Sequence, residues 1–206
     1  MAETGIQYES PSHEAETAQA GMWLFLASEF LFFGGLFLVW TIYRVTLPDG
    51  FAAASRHTNI VIGAVNTVLL LVSGACLSAG LPAVQSGNGR MFRRILSGAL
   101  VIALLFLALK GLEWHEDLNE HLFPAAHFAL SERGAGLFFC FYFVATFLHG
   151  AHMVAGIVLL LWLLRRARSE PVASLRMPAE SVTLYWAFVD LIWIVLFPLI
   201  YLSGRV

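Results

Sequence analysis

The chain has 206 residues, of which 59% are hydrophobic and 13% charged, with a formal net charge of -2. A soluble domain carries about 25% charged residues, so roughly half the usual charge is missing, and the apolar residues stand in long blocks. That excludes an ordinary soluble enzyme, and so small a net charge gives no reason to expect a nucleic-acid partner.

The first twenty residues, "MAETGIQYESPSHEAETAQA", are polar and acidic. A signal peptide would start basic and continue at once into a short apolar core. Residues 1–20 therefore read as a solvated tail, mobile up to Gln19. The rest of the chain, 21–206, reads as one all-α, polytopic membrane domain. A bilayer core of about 30 Å takes about 20 apolar residues as a helix, and five stretches qualify: about 21–43, 58–80, 95–114, 136–163 and 182–203. "LPDG", "SGNGR" and "RMPAE" mark turns between them. The expected fold is a bundle of five transmembrane helices without internal repeats. Seven arginines (Arg90, Arg93, Arg94, Arg165, Arg166, Arg168, Arg176) fall on the side of the N-terminus, against Arg44, Arg56, Arg133 and Arg205 on the other. The positive-inside rule then makes the N-terminus cytoplasmic and the C-terminus periplasmic.

Ionisable residues inside the spans are costly and mark sites worth explaining. In span 1 there is Glu29, in span 3 Lys110 and Glu113 near the outer end, in span 4 His149 and His152, in span 5 Asp190. Glu29 and Asp190 lie about eight residues from the inner end, roughly 12 Å deep, and His152 about ten residues from it. The common depth predicts an intramembrane polar cluster of Glu29, His149, His152 and Asp190. Its bland role is interhelical glue; handling a proton or binding a lipid headgroup are the alternatives. Lys110 and Glu113, three apart, form a pair at the outer interface.

A metal centre finds few ligands. His149 and His152 share one face with no second pair on another span. Cys76 and Cys140 sit apart in apolar runs as small core residues. His115, His121 and His127 follow no regular ligand spacing in the outer loop. No phosphate loop and no nucleophile elbow is present. Two Phe-rich stretches, "FLFFGGLF" (30–37) and "FFCFYF" (138–143), read as lipid-facing, and Trp40, Trp114 and Trp162 as interfacial indoles. Arg90, Arg93 and Arg94 are candidates for an anionic lipid headgroup. Small residues in "SGACLSAG" (73–80) and "HGAHMVAG" (149–156) permit close helix approach.

Five segments, in order, resemble subunit III of the haem–copper oxidases, the cytochrome c and quinol oxidases. They are "MWLFLASEFLFF" (22–33) with its intramembrane glutamate, "VNTVLLLVSG" (65–74), "ALKGLEW" (108–114), "FVATFLHGAHMVAGIVLL" (143–160) with His-Gly-x-His, and "YWAFVDLIWIVLFPLIYL" (185–202). The resemblance implies a five-span bacterial form lacking the two N-terminal helices of seven-span members. One departure is Ala187, where family members often carry histidine. The resemblance further implies a subunit without its own active centre, in the bacterial inner membrane. It would pack on catalytic subunit I and other oxidase subunits, where the haem and copper reside, hold phospholipid, and support proton uptake or oxygen access. An accessory subunit of nitric oxide reductase is the alternative. A stand-alone proton-coupled transporter is disfavoured by the absence of inverted repeats, and a membrane haem protein by the histidine count.

Overall fold

The computed structural model describes residues 11–125 and 128–205. Its regular elements are all helical: α1 (Pro11–Thr46), α2 (Pro48–His57), α3 (Ile60–Gln85), α4 (Gly89–Asn119), α5 (Ala135–Ser169) and α6 (Arg176–Phe197). A 3-10 turn, Val172–Leu175, precedes α6, and a π turn, Pro198–Leu202, follows it. Five segments are long and apolar enough to cross a membrane: Gln19–Thr46, Ile60–Gln85, Gly89–Asn119, Ala135–Ser169 and Val172–Leu202. The expected five-span, all-α fold is the one observed.

The helices overrun the expected spans, because apolar length marks the membrane and not the helix end. The described part of α1 runs from Pro11, inside the segment expected to be a mobile tail. "EAETAQA" is rich in helix formers. Residues 1–10 of that tail lie outside the described residues. The sequence reading also missed α2. Its ten residues are too few and too polar to span a membrane. They bury Phe51, Ala54 and Ser55 on one face and pack on α5.

The centre of the molecule is a square of four helices: α3 packs on α4 and α6, and α5 packs on the same two. Each contributes a stripe with alternating steps of three and four, the spacing that keeps one face turned to a neighbour. On α3 the stripe is Gly63, Asn66, Leu70, Ser73, Leu77 and Gly80. On α4 it is Phe92, Leu96, Ala99, Ala103, Phe106, Lys110, Glu113 and Asp117. α1 stands outside the square against α5 and α6, burying Leu26, Phe33 and Trp40 one heptad apart. Most of its other large side chains, among them Phe30, Leu31 and Phe32, are exposed.

Two surface readings are corrected. Phe138, Phe139, Phe141, Tyr142 and Phe143 are all core residues, so "FFCFYF" faces inward. Trp40 is buried as well, 2% exposed, its ring edge-on to Phe51. Conversely, Cys76 and Cys140 are exposed and free. In a span that is apolar all round, hydrophobicity has no contrast between lipid and core faces.

One end of the bundle is closed by the C-terminus. Pro198 has no N–H for a regular α turn, and the chain widens there into the π turn. The carbonyls left free are taken one by one. Ile200 O accepts from Ser55 Oγ at 2.9 Å, Ser203 O from Arg44 at 3.0 Å and Gly204 O from Arg56 at 3.0 Å. Arg205 in turn donates to the carbonyls of Arg56 (3.0 Å) and Thr58 (2.7 Å) at the end of α2. Gly134 (φ 103°) adopts the left-handed conformation that starts α5. Gly50 of α2 lies so close to the Arg133 carbonyl that a Cβ there would overlap it.

Candidate functional site

The four residues expected to form one cluster occupy three places. Equal depth does not mean a shared face: two of the four meet, and the other two point into separate seams.

Glu29 and His152 meet. Glu29 falls on the buried stripe of α1, between Leu26 and Phe33, which turns it toward α5. Its Oε2 is 3.2 Å from His152 Nε2, and both side chains are about one-fifth exposed. Phe33 stands edge-on to the imidazole at 5.4 Å. The other ring nitrogen, Nδ1, donates to the Leu148 carbonyl at 2.8 Å. A carbonyl only accepts, so Nδ1 carries a hydrogen. The contact between Nε2 and Oε2 then needs one further proton, on the carboxyl of Glu29 or on the imidazole. The pair lies within two membrane-spanning helices and joins α1 to α5. Tyr185 of α6 donates to the His152 carbonyl at 3.0 Å and ties a third helix to it.

His149 belongs elsewhere. It lies on the inward stripe of α5, 1% exposed, between Phe106 of α4 and Trp193 of α6. Asp190 occupies a third place, buried in the α3–α6 seam. Its Oδ2 rests against Gly74, where any Cβ would overlap it, with Trp186 beside it.

Lys110 and Glu113 do pair, with Nζ 3.0 Å from Oε2, but as part of a larger buried network. Lys110 Nζ also donates to Tyr142 and Tyr201, each at 3.0 Å. Tyr201 donates to Glu113 Oε1 at 2.8 Å, and Tyr142 to Asp117 Oδ2 at 2.6 Å. Lys110 further stands 4.4 Å from the centre of the Tyr142 ring, a cation–π distance. The network joins α4, α5 and the π turn, and all five side chains are buried. The sequence reading missed Asp117, Tyr142 and Tyr201. The stripe 103, 106, 110, 113, 117 held the signal for Asp117; the tyrosines carried none.

Arg93 donates to the Ala167 carbonyl at 3.0 Å, so it caps α5. Arg90 and Arg94 line an open hollow of about 490 Å³ with Gly87, Asn88, Gly89 and Met91, at the start of α4. At the end of α5 the Arg166 guanidinium hydrogen-bonds Glu170 and holds its carboxyl below the usual range. An apolar groove of about 590 Å³ runs between α1 and α6, lined by Trp23, Phe30, Leu184, Ala187 and Phe188 among others. Ala187 thus faces the groove, and a histidine in its place would have made that wall polar. Among the described residues, no three His, Cys, Asp or Glu side chains group as metal ligands; His127 lies outside them.

These features define a polytopic membrane protein whose polar groups are built into helix seams. Its exposed flanks are broadly apolar. The chain belongs to the cytochrome c oxidase subunit III family, whose model matches residues 2–205. It is similar to a cytochrome c oxidase subunit 3 from Synechocystis sp., 30% identical over 88% of this chain and 74% of that one. A probable quinol oxidase subunit 3 from Staphylococcus epidermidis is 27% identical over 96% and 94%. A heme-copper oxidase subunit I+III from Aeropyrum pernix is 27% identical over 89% of this chain and 22% of that longer protein.

Proposed function

We propose that this chain is the non-catalytic subunit III of a haem–copper terminal oxidase. In this role it lies in a bacterial cytoplasmic membrane, N-terminus inside, and packs on a catalytic subunit I that holds the haem and copper. Electrons come from cytochrome c or a quinol; relatives of both names exist. The fused I+III relative supports the partner, since one chain there carries both names. Four spans are continuous α-helices and the fifth leaves α geometry only at its two ends, which supports a subunit over a transporter, whose sites are commonly built where a helix breaks at mid-membrane. Purification in mild detergent is expected to bring down a larger, haem-bearing membrane subunit. Recovery of this chain only as a monomer or homo-oligomer would overturn the assignment.

The single observation that carries a finer role is the Glu29–His152 pair. It retains one proton between two titratable groups, partly exposed within the membrane, where it supports proton uptake by the complex. In Glu29→Gln the amide still donates to the bare Nε2, so assembly is expected to be normal while proton uptake or durability during turnover changes. In Glu29→Ala the imidazole loses its partner, and the subunit is expected to loosen in detergent. If Gln matches the native protein in every kinetic measure while Ala weakens assembly, the pair is structural only.

The groove between α1 and α6 fits an acyl chain, and Arg90 with Arg94 fits an anionic headgroup at the hollow beside α4. With Arg93 engaged on α5, the headgroup role rests on the other two. Phospholipid is expected to survive detergent exchange and to fall in Arg90→Gln/Arg94→Gln; equal retention in both would remove the headgroup site.

A further inference from the structure

The Glu29–His152 pair leaves one oxygen unused. Oε2 faces His152 Nε2 at 3.2 Å, and no hydrogen bond among the described residues reaches Oε1. Oε1 is an acceptor wherever the shared proton lies. With the proton on Nε2, Glu29 is a carboxylate and both its oxygens accept. With the proton on Oε2, that hydroxyl donates to Nε2, and Oε1 is a carbonyl oxygen, which also accepts. The pair sits at mid-membrane. His152 is the middle residue of α5 (Ala135–Ser169), and Glu29 lies ten residues, about 15 Å, inside the span that starts at Gln19. About one-fifth of each side chain is open there. Tyr185, stacked on Phe25, and Phe188, against Phe33, close the α6 side, so the opening is on the flank away from α6. A lipid headgroup does not reach that depth in a core of about 30 Å, and an acyl chain has no donor. An unanswered acceptor in hydrocarbon is costly.

Toward the α2 end, the same seam widens into a hollow of about 210 Å³, lined by Leu36, Val39 and Tyr43 of α1 and by Cys140 and Val144 of α5 among others. The two helices run antiparallel. Leu36, seven residues after Glu29, and Val144, eight before His152, therefore lie on the same side of the pair, about 10–12 Å along the seam. That is two turns of a helix, the separation of residues i and i+7. Beside the pair, α5 carries small exposed residues, Ala151 and Ala155, and small side chains let a second helix come close.

We propose that the α1–α5 seam is the docking site of one transmembrane helix of the larger subunit. That helix brings a hydrogen-bond donor to Glu29 Oε1 and, seven residues along its own face, a large apolar side chain to the hollow between Leu36 and Val144. A helix meets both demands at once, since it holds a polar and an apolar side chain at a fixed two-turn spacing. The donor completes the pair without taking its proton, because it bonds an oxygen that accepts in either protonation state. This docking rests on the reading of the chain as an oxidase subunit; the seam and the contact chemistry are what it adds.

Cross-linking in cell membranes tests the seam. The photoreactive residue p-benzoylphenylalanine is placed, one position at a time, at Val144 in the hollow, at Ala155 beside the pair, and at Val68 on the open face of α3; Val144 and Val68 are 50% and 60% exposed. Val144 and Ala155 are expected to cross-link to one transmembrane segment of the larger subunit, and Val68 is not. Capture of the larger subunit from Val68 and not from the seam would overturn the docking site and leave the subunit assignment standing. Adducts at both seam positions only on phospholipid, or only on a second copy of this chain, would overturn it as well. A larger subunit that cross-links from no position and does not co-purify takes the assignment down with the docking site. A density map of the assembled complex reads the contact chemistry. An N–H or O–H of the docked segment is expected within hydrogen-bond distance of Glu29 Oε1, and apolar atoms alone around that oxygen would overturn the donor.

Discussion

Lys110→Met is expected to destabilise the folded chain by about 3–5 kcal/mol, the range for removing one partner of a buried ion pair. Glu113 is 1% exposed, and Lys110 is the only cation within its network. A neutral interhelical hydrogen bond in a membrane is worth roughly 1 kcal/mol, so the size of the loss separates a charged pair from neutral glue. Without Lys110, Tyr201 still donates to Glu113. That hydroxyl cannot replace a full charge. The Lys110 ammonium lies 4.4 Å from the Tyr142 ring centre and 5.8 Å from that of Trp193, and methionine keeps most of the side chain's length and apolar volume, which limits cavity formation. Adding Glu113→Gln removes the uncompensated carboxylate and is expected to recover most of the loss. Thermal unfolding of the purified complex, followed by tryptophan fluorescence, reads both steps. A Lys110→Met protein that melts with the native one would mean that Glu113 has no charge in need of a partner.

Much of the architecture is legible in the sequence, since a span must be long, apolar and continuous whatever it packs against. Which face of each span is buried was not. Phe138 to Phe143 and Phe30 to Phe32 are equally apolar, yet the first group fills the core and the second faces outward. The driving force that sorts apolar from polar faces in water is absent between helices in lipid, so the sequence carries no contrast there. Polar residues are the exception, because they must be turned away from hydrocarbon or paired. They mark the buried stripe: Lys110, Glu113 and Asp117 on α4, Asn66 and Ser73 on α3, His149 on α5. Depth placed Glu29 level with His152, and the geometry joins them. Depth also placed Asp190 level with both, and it lies in another seam. Rise along a helix fixes one coordinate, and only the angle about the axis brings two side chains together.

The small residues of α5 divide between inside and outside in a way that one pair of substitutions resolves. At Gly156 a Cβ would stand 2.8 Å from Trp186 Cζ3 and 3.4 Å from Tyr185 Cε1. Trp186 is fully buried, and a close-packed interior yields little. Overpacking of this kind costs about 1–3 kcal/mol, and a leucine there adds three further carbons to the clash. Gly156→Leu is expected to separate α5 from α6 and to leave little folded chain in the membrane. Gly150, six residues earlier and so on another face of α5, meets nothing within 4 Å. It lines a groove of about 280 Å³ between α4 and α5, with Gly111, Thr146, Ala151 and Val154. Gly150→Leu fills that groove from one wall and has no neighbour in this chain to displace. The fold is therefore expected to persist, with helix propensity slightly improved, while the larger subunit is lost from mild-detergent purification. Normal co-purification of Gly150→Leu would remove this groove from the interface and leave α1, with its exposed aromatic face, as the surface to test next.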